Sequence, residues 1–480
     1  MSTKPFYITT TLPYVNADPH IGFAMEIIRA DIIARSKRLA GYDVFFNTGT
    51  DEHGMKIFRK AKENNVEPQA FVDTLSHKFR DLIPALGISP DANFIRTTDK
   101  HHIEAAQSFW DIVNKNGFIY KKNYSIKYCV GCELEKTESE LVNGRCPLHP
   151  LQELEIIQEE NYFFKFSEFQ KPLLELYSKH IDLVVPDSRL NEIRSFVERG
   201  LEDFSISRLA SKMSWGIPVP NDPSQVMYVW FDALVNYIAA VGWPNDSKSF
   251  EKWWTKTGGG VQYCGKDNLR QQSAMWQAML LAAKLGPSRQ IVINGFITGE
   301  GGVKMSKSMG NTVDPYEVVK EYGTDALRYF VAKELHPFED SPFSLEKFKE
   351  AYNAQLANGI GNLTSRILKM AETNSVWPTC EAAPVDYQML DKKLNGFEIN
   401  KYCGDIWHRI EKADKYIDDT KPFKTIKTDP KKAEKDIAHL VTELWAIGHE
   451  LAAIMPQTSN SIIELIHSKS SPKVPLFVRK

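Results

Sequence analysis

Residues 6–22, Phe-Tyr-Ile-Thr-Thr-Thr-Leu-Pro-Tyr-Val-Asn-Ala-Asp-Pro-His-Ile-Gly, decide the fold. Phe6 to Thr11 are aromatic and β-branched and predict a buried strand. Asp18 predicts a helix cap with Pro19 in the first helical position. Apolar Ile21, Met25, Ile28, Ile32 and Leu39 then recur at helical spacing until Gly41. Val44 to Asn47 predict a second strand. Strand, helix and strand make one right-handed crossover unit, whose ligand lies at the carboxyl ends of the strands beside the helix amino terminus. His20 and Gly22 sit there. The positive end of the helix attracts phosphate, Gly22 lets a nucleotide lie on the backbone, and His20 offers a donor to a phosphate oxygen. Read alone, His20 serves equally as a structural hydrogen-bonder. No Gly-x-Gly-x-x-Gly follows the strand, which argues against a dinucleotide.

A second landmark is Gly299-Glu-Gly-Gly-Val-Lys-Met-Ser-Lys-Ser-Met-Gly-Asn311. Its glycines predict a hinged, mobile loop carrying Lys304 and Lys307 as cations. Ammonium groups on such a loop suit a triphosphate whose charge shifts as pyrophosphate leaves; the plainer reading is a solvated surface turn.

At 480 residues the chain predicts several domains, and with 42% hydrophobic and 25% charged residues it reads as ordinary soluble protein. No apolar run approaches a membrane span, and no secretory or transit segment opens the chain, so a cytoplasmic home is expected. The net charge of −2 means that any nucleic acid must meet a local basic surface. Of six cysteines, Cys264, Cys380 and Cys403 are scattered, which is no disulfide framework. The other three form Cys129-x-x-Cys132 and, after thirteen intervening residues, Cys146-x-x-His149. Three thiolates and an imidazole on two tight knuckles predict one tetrahedral structural zinc, closed to water.

His20-Ile-Gly-Phe23 and Lys304-Met-Ser-Lys-Ser308 resemble the two ATP motifs of the class I aminoacyl-tRNA synthetases. Leu12-Pro-Tyr-Val-Asn16 and Gly49-Thr-Asp-Glu-His-Gly54 are similar to the methionyl-tRNA synthetases in particular, of the single-knuckle kind. The resemblance spans nearly the whole chain and implies an α/β fold: a Rossmann-type parallel-sheet catalytic domain with a zinc-knuckle insertion, followed by an all-α anticodon-binding bundle. The implied divisions are 1–116 and 223–297 for the halves of the catalytic domain, 117–222 for the insertion, 298–343 for the mobile loop and stem-contact region, and 344–480 for the bundle. The insertion is too short for a large editing domain.

The resemblance assigns residues as well. His20, Lys304 and Lys307 would be catalytic, and His20, Gly22, Gly265, Asp267, Lys304, Ser306 and Lys307 would hold ATP with its Mg2+, Asp267 at the ribose. Methionine would lie against Leu12, Tyr14, Trp230, Ala233 and Tyr237, its ammonium on Asp51, with Asn268 and Gln272 closing the pocket. An aromatic wall suits a flexible thioether. Without the resemblance, the run Val226 to Ala233 reads as β-rich core entering a helix through Asn236, Tyr237 and Ile238, and Asp51 as a turn or cap. Phe23 departs from the family, which has a second histidine there, as do Asn268 and Gln272, where an aliphatic residue and a histidine are usual.

From Ser344 onward the pattern is helical, with Tyr352, Leu356, Ile360, Leu363, Ile367 and Met370 on one stripe. Asn362 and Arg366, one turn apart, read either as a solvated face or as base-reading side chains. The resemblance selects the second and adds Phe423, where a stacking tryptophan is common, as anticodon contacts. The implied activity is ATP-dependent ligation of methionine to its tRNA, initiator and elongator, through an adenylate, by a monomer. Two rivals stay open: another activity of the same superfamily, and a non-catalytic RNA-binding derivative.

Overall fold

The computed structural model describes residues 3–136, 140–299, 305, 313–380 and 385–480. The predicted crossover unit is its centre. Strand β1 (Pro5–Thr10) is buried from Phe6 on, helix α1 (Ile21–Leu39) packs against it, and β2 (Asp43–Thr50) returns beside β1 with Tyr7 opposite Phe45. Strand β3 (Asn93–Arg96) extends the sheet outward from β2. On the other side of β1 come Val261–Gly265, Gln290–Asn294 and the short edge Val184–Val185, making a six-stranded sheet whose pairings are all parallel. The strand order therefore reverses between β1 and Val261–Gly265. In an open α/β sheet the crevice outside the strand ends at such a reversal is where a ligand binds. Thr11, Asp51 and Lys266 each follow the last residue of a strand lining it.

The start of α1 differs from expectation. His20, not Asp18, is the N-cap: its backbone is extended (φ −136°) and its Nδ1 accepts from the Gly22 amide at 3.1 Å. Asp18 instead pairs with Lys78 at 2.6 Å. A histidine ring that reaches its own first-turn amide makes the aspartate cap unnecessary.

A second difference lies at Val226 to Ala233. The strand runs Asp222–Met227, pairs antiparallel in a separate three-stranded sheet, and gives way to a helical turn at Val229–Ala233. The aromatic, β-branched composition favours a strand, but tertiary contacts override it. Asp232 is fully buried and fixed by His53 Nδ1 at 2.7 Å and His102 Nε2 at 2.8 Å, partners supplied by distant segments.

Within 117–222, strands Ile119–Cys129 and Glu155–Phe164 form the centre of an antiparallel sheet, whereas Val184–Val185 belong to the edge of the parallel sheet. Beyond Ser344 the described residues are helical apart from connections and the closing segment. Ile399–Thr420 and Pro430–Glu450 are the long members, and Ile437, Leu440, Leu444 and Ile447 are fully buried. The expected stripe from Tyr352 to Ile367 is buried, although non-helical angles at Gly359 (φ −85°, ψ −111°) kink the chain there. Buried charges tie this bundle to α1. Arg328 reaches Asp31 at 2.9 Å and donates to the Ile454 carbonyl, and Lys37 meets Asp391 at 2.7 Å.

Candidate active site

The crevice is built from α1 outward. Because His20 Nδ1 accepts from the Gly22 amide, a neutral ring carries its proton on Nε2, the form that donates to a phosphate oxygen. Gly22 is required by this cap: a Cβ there would lie 2.9 Å from His20 Cε1. Phe23 is buried in a T-shaped contact with Phe79 at 5.1 Å, so its ring packs in the core. Across the reversal point, Asp267 is exposed two residues past Gly265. A Cβ on Gly265 would sit 2.7 Å from its Oδ1. Asn268 turns its amide toward that same oxygen at 3.3 Å.

Glu26, one turn further along α1, was not singled out in the sequence. It is buried and accepts from the Thr11 amide at 2.9 Å and from the Thr11 hydroxyl. Burial raises its pKa to about 8, the Thr11 bonds moderate that rise, and Asp267 adds to it.

The second group lies where β2 ends. Tyr14 and Asp51 are bridged through the backbone, with Val15 N donating to Asp51 O at 3.1 Å and Asp51 N to Pro13 O at 3.0 Å. Asp51 is 6% exposed, and its Oδ1 has no hydrogen-bond partner among the described residues. Burial, with the nearby carboxylates of Asp232 and Glu133, raises its pKa well above the usual range. Burial works in the same direction on Asp232, but His53 and His102 outweigh it and hold that carboxyl low. At Asp51 the His53 amide moderates the rise, and Oδ1 is left without a donor among the described residues. Tyr14 and Trp230 pack together with Tyr128, Tyr228 and Val229, while Leu12 and Trp230 also flank the core that contains Tyr237. Ala233 is buried on the same helical turn as Trp230. Gln272 donates to the Tyr237 hydroxyl at 2.7 Å, leaving its buried Oε1 without a partner among the described residues.

The knuckle is assembled beside this pocket. Cys129, Cys132, Cys146 and His149 offer ligand atoms that all lie within 4.8 Å of one another. Cys132 Sγ is 3.2 Å from His149 Nδ1 and 3.4 Å from Cys146 Sγ, and Cys129 Sγ is 3.7 Å from the imidazole. Metal–ligand bonds of about 2.0–2.3 Å in a tetrahedron set ligand atoms roughly 3.3–3.8 Å apart, so this set is compatible with zinc.

On the bundle, Arg366 and Phe423 line one cleft of about 570 Å³ with Met370, Ile417 and Ser471. Arg366 is oriented by Asp414 at 2.5 Å and Asp418 at 3.0 Å, and Asn362 is exposed one turn before it. Lys304, Ser306 and Lys307 lie outside the described residues; Met305, between them, is buried, and its amide meets the Ile297 carbonyl at 3.4 Å.

The family model for class I tRNA synthetases (M) matches residues 6–153 and 136–368. A methionine--tRNA ligase from Thermosynechococcus vestitus is 41% identical over 95% of this chain and 89% of its own length, and one from Rickettsia bellii is 39% identical over 96% and 92%. This chain belongs to the methionyl-tRNA synthetases. Its reaction is the activation of methionine and the charging of tRNA. Among solved structures, Mycobacterium tuberculosis methionyl-tRNA synthetase in complex with methionyl-adenylate is similar at a TM-score of 0.88 and 35% identity, over 96% of this synthetase and 94% of that one. The apo form from the same organism is similar at 0.83 and 30%, over 100% and 99%. No helix among the described residues of the synthetase is long and apolar enough to cross a membrane.

Proposed function

We propose that the crevice at the strand reversal holds methionine and Mg-ATP together for in-line adenylate formation. The observation that carries this reading is the buried Oδ1 of Asp51, without a hydrogen-bond partner among the described residues, on the segment bridged through the backbone to Tyr14. A methionine ammonium would supply the missing positive charge and hydrogen bonds, and Leu12, Tyr14, Trp230, Ala233 and Tyr237 would enclose the thioether chain. Gln272, by fixing the Tyr237 hydroxyl, would close the far wall, while Asn268 would act through Asp267.

The chemistry needs no protein nucleophile. An oxygen of methionine's carboxylate bonds to the α-phosphorus as the bridge to the β-phosphate breaks, and pyrophosphate departs. The terminal ribose hydroxyl of the tRNA then takes the methionyl group and AMP leaves. His20 would donate from Nε2 to a phosphate oxygen, the amino terminus of α1 with Gly22 would support the phosphates, and Gly265 with Asp267 would hold the ribose. Lys304, Ser306 and Lys307 would meet the charge that grows on the way to the transition state.

Zinc in the knuckle would be structural, since four protein ligands leave no position for substrate. Asn362, Arg366 and Phe423 would read the anticodon of initiator and elongator methionine tRNA. A monomer in a reducing cytoplasm completes the proposal, and the unpaired Cys264, Cys380 and Cys403 support that compartment.

ATP–pyrophosphate exchange over the twenty amino acids tests the reading: methionine should drive exchange, and faster exchange with leucine or isoleucine would overturn it. Lys307→Ala should slow single-turnover adenylate formation on the order of 100-fold, roughly 3 kcal/mol, with methionine and ATP saturating. A wild-type rate would remove the loop from the mechanism.

A further inference from the structure

We infer that Glu133, borne by the metal knuckle, is a positioning residue for the methionine pocket, acting by fixing the Tyr14 ring. The inference rests on the function proposed above. Glu133 directly follows Cys132, and its backbone sits in the left-handed region (φ +50°), costly for a residue with a Cβ. That conformation ends in a long-range contact. The carboxylate is buried, and its Oε1 accepts from the Tyr14 hydroxyl at 2.7 Å and from the Lys56 amide at 2.5 Å. Its carbonyl accepts from the Tyr228 hydroxyl. One residue of the knuckle thus holds two tyrosines of the aromatic cluster and the first turn of the helix Met55–Glu63.

The fit is tight. Gly54 has φ +109°, and a Cβ there would lie 2.5 Å from the Tyr14 hydroxyl and 2.6 Å from Glu133 Oε2. The segment leaving β2 therefore passes against the Tyr14–Glu133 pair with no room to spare. Tyr14 is in turn joined to Asp51 through the backbone bonds at Val15 and Pro13, so the ring that Glu133 fixes stands on the segment paired with the carboxylate proposed for the ammonium. The Glu133 side chain is held on the Tyr14 side of the crevice, one oxygen accepting from the Tyr14 hydroxyl and the Lys56 amide. Glu133 should accordingly govern methionine binding and leave ATP binding alone.

The test is methionine affinity by isothermal titration calorimetry on the whole chain, with the KM of each substrate from ATP–pyrophosphate exchange and metal content measured for every variant. Glu133→Met, similar in length but without an acceptor, should raise the methionine Kd about tenfold at unchanged ATP KM. Glu133→Gln, which keeps an acceptor oxygen, should recover most of that loss. Tyr14→Phe should weaken methionine by a similar factor, and the Tyr14→Phe, Glu133→Met double variant should be no worse than the weaker single, because both remove the same bond. Multiplying effects, an equal rise in ATP KM, or an unchanged methionine Kd in Glu133→Met would overturn the inference. Should Glu133→Met lose its metal, an unchanged Kd in Tyr14→Phe would overturn it instead. A wild-type chain without methionine-dependent exchange would defeat the proposed function, whereas normal wild-type exchange with unaffected variants would defeat this inference alone.

Discussion

Two buried aspartates, twenty residues apart in the sequence, are treated oppositely by the same fold. Asp31, where α1 meets the helical bundle, is fully buried and surrounded by donors: Arg35 at 2.7 Å, Arg328 at 2.9 Å, and the Ser89 amide and hydroxyl at 2.9 and 2.5 Å. Burial works to raise its pKa, but Arg328 and Arg35 outweigh it and hold the carboxyl below the usual range. Asp51, at the end of β2, is nearly as buried, has carboxylates rather than guanidiniums for neighbours, and keeps an oxygen without a partner among the described residues. The chain partners both oxygens of Asp31, whereas one oxygen of Asp51 has no partner among the described residues and, in the proposed reading, receives the methionine ammonium. A buried charge without a partner costs stability, and a site that tolerates one reserves that deficit for a ligand.

The contrast breaks most readily at Asp31. Asp31→Asn should strand the fully buried Arg328 and cost roughly 3–5 kcal/mol in urea unfolding, while the methionine affinity of the protein that remains folded is unchanged. A loss below about 1 kcal/mol would show that the junction needs no compensation.

Glu26 sharpens the contrast as an intermediate case, held by neutral donors from Thr11 and the Gly265 backbone. Its folded pKa of about 8 lies above the ordinary glutamate value, so the folded state binds more protons than the unfolded one in between. Its contribution to stability is full below about pH 4.5 and is lost as pH rises toward 8. Between pH 5 and 7 the wild type should lose roughly 2–3 kcal/mol relative to Glu26→Gln. Parallel stability curves for the two proteins would contradict this.

The smallest effect on the fold is expected at the bundle surface. Arg366 and its partners Asp414 and Asp418 are partly exposed, so Arg366→Ala should change stability by less than about 1 kcal/mol. It should nevertheless lower tRNA charging about tenfold with adenylate formation intact. Equal losses in both reactions would make it a fold residue.

How far these positions could be read in the sequence follows from the distance between partners. The knuckle was legible because Cys129 to His149 carry all four ligands within one short stretch. The crossover unit was legible for the same reason, and the helix cap was displaced by two residues because a histidine ring can replace an aspartate there. Asp232 disappeared into an apparent strand because His53 and His102 reach it from 179 and 130 residues away. Glu133 looked like one more charge after a cysteine, since its partner Tyr14 is 119 residues distant. No local pattern marks a carboxylate whose donors are that remote, and none marks Asp51 as a buried carboxylate with one oxygen lacking a partner among the described residues.

The decisive measurement is the thermal stability of Asp51→Asn and of the wild type, each with and without saturating methionine. Replacing a buried carboxyl that carries a partnerless oxygen should leave the unliganded variant at least as stable as the unliganded wild type. Methionine should raise the wild-type midpoint and leave that of the variant unmoved. A variant that is several degrees less stable without ligand, or that is still stabilised by methionine to the wild-type extent, would mean that Asp51 is completed within the chain after all.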